Sequence, residues 1–316
     1  MRLVLLAPSL LAQPPDALAA IGELARLSFS SRKTATNLDA ALLDALGIDA
    51  PVAPLAALGA GVDVGARFVM RADPISMTVM RDDVRIDARV DDLDPSEAAS
   101  LQRLLNDHFA LDGLEFIAAR RNEWFVASPR RFDVRTTALD ASIGCALRDR
   151  LPAGPDGAHW RRWFTETQML LFEHALGNRV TRPVNGAWFS EGGVLPARLL
   201  HTDLDIHATN ERAGNLARGI AKLDGKSSLL PTSLPSPAQS SRDMIAIVES
   251  IANADRLARF IRAWLAPAIQ LLDAKRVTEL MVIADGHGSA ACWMVGRRGW
   301  ISRLRSRSSP FAVPNR

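Results

Sequence analysis

Cysteine is nearly absent: Cys145 and Cys292 are the two thiols in 316 residues. So few, so far apart, build neither a disulfide framework nor a cysteine zinc site; one bridge at most remains open, and a reducing, cytoplasmic setting is the expectation. Long hydrophobic runs are missing too. No stretch approaches the roughly 18 apolar residues that a membrane span requires, so no membrane partner is expected. Charge of one sign is equally scarce. The balance of 38 basic against 35 acidic residues leaves a net charge of +3, too little to favour a nucleic-acid partner. The chain also lacks any internal repeat.

What is there is ample apolar material. With 48% hydrophobic residues the chain buries a full core and has room for two domains, or for one with a large insertion. Met1-Arg2 before Leu3 to Leu6 has the outline of a secretory signal, but Pro8 ends the run early, which suits a buried first strand of a parallel sheet. Helical spacing follows over Asp16 to Leu27. It returns over Asn37 to Leu46, with Asn37 or Asp39 as N-cap and Gly47 as the stop. Strand, loop and helix in this order open an α/β fold.

From Arg67 the period shortens. Phe68 to Ala72, Ile75 to Met80 and Val84 to Ala88 read as strands, the last two joined by a turn at Arg81 to Asp83. Pro95, Ser96 and Glu97 open an amphipathic helix through Leu101, Leu104, Leu105 and Phe109, and strands follow at Leu114 to Ala118 and Trp124 to Ala127. Residues 67–128 therefore read as a small α+β insert in a core made of 1–66 and 129–316. Ala158 to Ala175 is a helix with Trp160, Trp163, Phe164, Leu170 and Leu171 on its apolar face and Met169 among the packing residues. The chain after Val194 reads as loop as far as Asp205, and 226–241, rich in Ser and Pro, as a flexible loop. Met244 to Leu272 gives the longest helical pattern, bent or ended at Pro267. A strand at Glu279 to Ala284 runs into Asp285-Gly286-His287-Gly288, a place where α/β sheets bind ligands.

Site chemistry concentrates between Arg161 and Pro196. Asn178, Arg179 and Asn185 combine an arginine fork with two amides suited to a carboxylate or phosphate; the competing reading is a loop braced by hydrogen bonds. Arg71 and Asp73, before Pro74, fit either an anion-binding corner or a structural ion pair. Glu166 and Gln168 either reach the same cavity or brace a strand, and Gly192-Gly193 marks either close approach to a ligand or a turn. Asp285 and His287 are ordinary ligands for a divalent ion, against a polar turn. The basic tail 297–316, with Arg297, Arg298, Arg303, Arg305 and Arg307 around Trp300, either touches phosphate backbones, acidic lipid or an acidic protein partner, or is solvated surface.

Three blocks carry a family resemblance. They are Gly65 to Val126, with Arg71-Ala72-Asp73-Pro74; Glu166 to Gly193, with Asn178-Arg179 and Pro183-Val184-Asn185; and Arg218-Gly219-Ile220-Ala221. Together these resemble the archaeal-type cofactor-independent phosphoglycerate mutases and, more closely, a proteobacterial family of phosphoglycerate-mutase-like or pathogenicity-factor regulatory proteins. The resemblance implies an alkaline-phosphatase-like α/β core, mainly parallel and flanked by helices, with a small α+β cap insert. It also implies a two-metal site that activates a serine nucleophile, with arginines holding the substrate's anionic groups.

The chain departs from that pattern at the ligands. Ala7-Pro8-Ser9 stands where the enzymes place a metal-binding aspartate and glycine, and Leu38, beside Asp39, where they place the serine. Six histidines occur in all, and no Asp-x-x-x-His cluster lies between Ala221 and Pro267. The leading expectation is thus a non-catalytic regulator that binds a small phosphorylated or carboxylated metabolite through Arg71, Asp73, Asn178, Arg179 and Asn185, with no cofactor. A second is an active metal-dependent phosphomutase or phosphatase using Mn or Zn, its donors drawn from Asp39, His201, Asp203, Asp205, His207, Asp285 and His287. A third is an interaction protein working through the arginine tail.

Overall fold

A computed structural model describes residues 1–14, 18, 31–35, 37–120, 123–174, 182–197, 199, 204–208, 212–224, 228–230, 242–286 and 289–295. The chain divides into two units, Met1–Asp49 with Leu199–Arg316, and Ala50–Arg198. The second unit extends beyond the expected insert 67–128 at both ends, because the segments that flank it pack on the same sheet.

The first unit is built on β1 (Arg2–Ala7), β2 (Ser31–Ala35), β8 (Leu204–Ala208), β9 (Ser228–Leu230), β10 (Asp243–Ile247), β11 (Glu279–Gly286) and β12 (Ser289–Val295). Their order in the sheet is β2-β12-β11-β1-β10-β8-β9. β11, β1, β10, β8 and β9 are mutually parallel, while β12 runs antiparallel between β11 and β2. An uninterrupted apolar run such as Leu3 to Ala7 suits the middle of a sheet covered on both faces, and all five of those residues are buried.

One face stacks Leu3, Leu5, Met244, Ala246 and Val282 against Leu257, Phe260, Trp264, Leu265 and Leu272. These last residues come from a continuous helical segment: α6 (Ala254–Phe260), a π-helical turn Ile261–Leu265, and α7 (Ala266–Asp273). The wide turn comes just before Pro267, whose missing N–H and ring an unbroken α-helix tolerates poorly. Two further helices contact the same sheet: α1 (Leu38–Leu46) touches β11 and β12, and α5 (Arg212–Asp224) touches β8 and β10. Asn37 caps α1 by accepting from the Ala40 N–H at 2.7 Å, and Gly47, left-handed at φ 66°, ends it.

The helix expected over Met244 to Leu272 is therefore half wrong. Its first four residues, Met244, Ile245, Ala246 and Ile247, belong to β10, because they are buried on both faces of the sheet, and an apolar run that short has no period of its own. Of the loop expected after Val194 as far as Asp205, residues 195–197 and 199 carry no helix or strand, residues 204 and 205 begin β8, and the others lie outside the described residues. Of the loop expected over 226–241, residues 228–230 are β9 and the remainder lies outside the described residues, as do the helix over Asp16 to Leu27, Leu18 excepted, and the tail 297–316.

The second unit holds β3 (Phe68–Val79), β4 (Val84–Arg89), β5 (Glu115–Arg120), β6 (Glu123–Ser128) and β7 (Gly186–Val194). The order is β4-β3-β6-β5, with β7 on the free side of β3. Two strands expected to break at Pro74 are one strand of 12 residues. β3 leaves β6 after Arg71 and takes up β4 at Ile75. The N–H that Pro74 lacks falls in that gap, and its carbonyl still accepts from Val90 at 2.8 Å.

Small residues let α2 (Val52–Ala60) lie close on one face: Ala53, Ala56 and Ala57 meet Val69, Phe125 and Ala127. The other face packs Phe68, Met70, Trp124 and Trp188 against α3 (Pro95–Phe109) and α4 (Gly157–Phe172). Asp94 and Glu97 form a capping box around Pro95 at the head of α3. Asn106 of α3 bonds both the N–H and the carbonyl of Phe116 in β5, and Gln102 accepts from the Ala118 N–H. Those side chains occupy the backbone groups of an edge strand, which otherwise invite another chain.

Candidate functional site

Three neighbouring parallel strands, β11, β1 and β10, end together, and polar groups meet where they end. β1 runs into Pro8 and Ser9, and Ser9 adopts a left-handed backbone, φ 62° and ψ 12°, before a 3-10 turn over Leu10–Ala12. A non-glycine residue in that region carries strain and marks a place held by its surroundings. The Ser9 N–H donates to Oδ1 of Asp285, in the last turn-side residues of β11, at 2.6 Å. Its hydroxyl lies 2.9 Å from that of Ser250, just beyond β10.

The corner is tied down from several sides. Ile251 N–H donates to the Pro8 carbonyl at 2.8 Å, and Gln13 Nε2 donates to the Ile251 carbonyl at 2.7 Å. Arg256, in the first turn of α6, donates through Nη1 to the Ser250 carbonyl at 3.0 Å. Gly286 leaves no room for a side chain, because a Cβ there runs into the backbone of Leu11 and Ala12. Carboxyl ends of adjacent parallel strands are where open α/β sheets hold ligands. Two hydroxyls with a guanidinium behind them supply donors for an oxyanion.

Among the described residues the corner carries one carboxylate, Asp285, whose Oδ1 accepts from the Ser9 N–H. Leu38 opens α1 as a buried side chain with no nucleophile, and Asp39 beside it is buried as well. Asp205 and His207 share one face of β8, both buried; Asp205 lies 3.5 Å from Arg242, and the His207 ring rests on Trp264 with centroids 4.8 Å apart. Among the described residues no three of His, Cys, Asp and Glu come together as metal ligands. His287, His201 and Asp203 lie outside the described residues.

The residues expected to bind the metabolite fall in the second unit, and Arg71, Asp73 and Asn185 have partners there. Arg71 is fully buried; its Nε donates to Glu191 at 2.7 Å and its Nη1 to Glu123 at 3.1 Å. Glu191 reaches it from a left-handed position, φ 61°, where the register of β7 on β3 shifts. Asp73, also fully buried, lies 3.7 Å from Arg89 Nε. Asn185 accepts from the Met77 N–H and donates to the Met77 carbonyl, each at 2.8 Å, which braces β3. Asn178 and Arg179 lie outside the described residues.

Glu166 pairs with Arg162 at 3.2 Å and lies 3.8 Å from His108, and Gln168 reaches the Met77 sulfur at 3.9 Å. Trp160 and Trp163 are core, but Met169, expected to pack, is 69% exposed, because it sits on the side of α4 turned away from the sheet. Gly192 and Gly193 are packing glycines: a Cβ would strike Met70 and Phe68 at the first and Pro51 at the second. Ser9 and Ser250 were not singled out as binding groups. The one signal in the sequence was the Pro-Ser corner directly after the first apolar strand.

Two solved structures are similar to this chain in fold. One is a cofactor-independent phosphoglycerate mutase from Thermoplasma acidophilum DSM 1728, 15% identical, covering 100% of this chain and 95% of that one, with a TM-score of 0.44. The other is the PH0037 protein from Pyrococcus horikoshii, 11% identical, covering 93% and 87%, with a TM-score of 0.45. No family model and no curated protein matches the chain.

Proposed function

We propose that this chain is a binder of a small phosphorylated or carboxylated metabolite that acts without metal-dependent phosphoryl transfer, and that the metabolite's anionic group sits at the corner made by Ser9, Ser250 and Arg256. The observation that carries this reading is the meeting of two hydroxyls at the ends of adjacent parallel strands, beside a backbone strained at Ser9. Hydroxyl and guanidinium donors favour an oxyanion, and the Asp285 carboxylate in the same corner accepts from the Ser9 N–H. A regulatory role follows from binding without turnover.

The test is a thermal-melting series in chelator with inorganic phosphate and 3-phosphoglycerate, run beside elemental analysis after exposure to Mn and Zn. A rise in melting temperature with ligand in chelator, lost in Ser9→Ala with Ser250→Ala, is the expected result. About two tightly retained ions per chain, the number a two-metal site holds, together with mutase or phosphatase turnover, sinks the reading.

A further inference from the structure

Glu249 precedes Ser250, and its carboxylate faces two arginines of α6, Arg256 and Arg259. Its Oε2 lies 3.9 Å from Arg256 Nε and 3.6 Å from Arg259 Nη1. Arg256 and Arg259 stand three residues apart on α6, so both guanidiniums reach the same side of the helix. Arg256 is at the same time the residue that holds the Ser250 carbonyl. The positive charge beside the corner therefore already faces a negative charge from the chain itself.

Both contacts are longer than a well-formed charged hydrogen bond, and all three side chains are substantially exposed, at 42% for Arg256, 69% for Arg259 and 52% for Glu249. A pair of this kind is held by charge more than by fixed geometry, contributes little to folding, and is readily exchanged for another anion.

Resting on the function proposed above, we infer that Glu249 is a built-in competitor for the ligand, and that it makes the corner selective for a dianionic phosphate group over a monoanionic carboxylate. A ligand carboxylate that displaces Glu249 exchanges one carboxylate for another and gains almost nothing from the arginines. A phosphate dianion brings a second charge and more acceptor oxygens, so the exchange favours it. Glu249 then sets both the affinity and the class of metabolite that the corner accepts.

Binding of inorganic phosphate and of acetate to the full chain, measured by titration calorimetry at low ionic strength and at a pH where phosphate is dianionic, tests this. In Glu249→Gln, phosphate binding tightens about three- to tenfold and acetate binding becomes measurable, and both gains shrink as salt screens the arginines. Arg256→Met weakens phosphate in either background. Phosphate binding by the wild type that is unchanged or weaker in Glu249→Gln overturns the inference and leaves the proposed function standing. Phosphate binding by neither protein overturns both. An unchanged melting temperature for Glu249→Gln in the absence of ligand separates these outcomes from a folding defect.

Discussion

Both units hold a cluster of polar residues in an otherwise apolar setting, and the two clusters differ in what their groups already do. In the second unit Arg71 lies between Glu123 and Glu191, Asp73 faces Arg89, and Asn185 is bonded to the Met77 backbone. Those residues have the chemistry of an anion site and already have partners: Arg71 and Glu123 are fully buried and answer each other's charge. In the first unit Ser9, Ser250 and Asp285 are modest groups by type. They meet where three strand ends lie together, and Arg256 and Arg259 face Glu249 there at 3.9 and 3.6 Å. Residue type points to the first cluster, and the proposed function places the ligand at the second.

The sharpest way to break that contrast is to remove Arg71. Arg71→Met leaves Glu123 buried without its partner and is expected to cost about 3–5 kcal/mol in chemical denaturation, with phosphate binding retained by whatever fraction stays folded. The triple replacement Arg71→Met, Glu123→Gln, Glu191→Gln is expected to recover much of that loss, since a neutral cluster leaves no stranded charge. A smaller loss follows Asn185→Ala, which strips both partners from the Met77 backbone and is expected to cost about 1–3 kcal/mol, again by denaturant unfolding.

In the first unit the order of effects reverses. Gly286→Ala forces a methyl group into the Leu11 and Ala12 backbone; the expected cost is about 1–3 kcal/mol, and phosphate binding falls with it because the turn that carries Ser9 must shift. Ser9→Gly relieves the left-handed strain but loses the hydroxyl contact, so its stability is expected within about 1 kcal/mol of wild type while phosphate binding drops about tenfold, the loss of one hydrogen bond to a charged group. A large stability loss in Ser9→Gly, with binding intact, makes the corner structural and removes the difference between the two units.

Much of the fold was legible because local chemistry and tertiary structure agree there. Asn37 and Gly47 bound α1 as their types predict, Pro95 and Glu97 open α3, and the apolar run from Leu3 to Leu6 is the central strand. Legibility failed where burial erased the period. Met244 to Ile247 is covered on both faces and so reads on into the helix that follows, and β3 passes through Pro74 because its neighbours change at that residue. The site was harder still. Ser9 and Ser250 are 241 residues apart in sequence, and neither belongs to a motif. They become neighbours only through the strand order β11-β1-β10, which no local pattern encodes.

The most direct test is a residue-resolved one: an amide NMR titration of the isotopically labelled full chain with 3-phosphoglycerate in chelator. The account predicts saturable shifts at Ser9, Leu10, Ser250 and Ile251, with the amides of Arg71, Asp73, Ser190 and Glu191 unmoved. Shifts centred on Arg71 and Asp73 instead, with the Ser9 corner silent, contradict it.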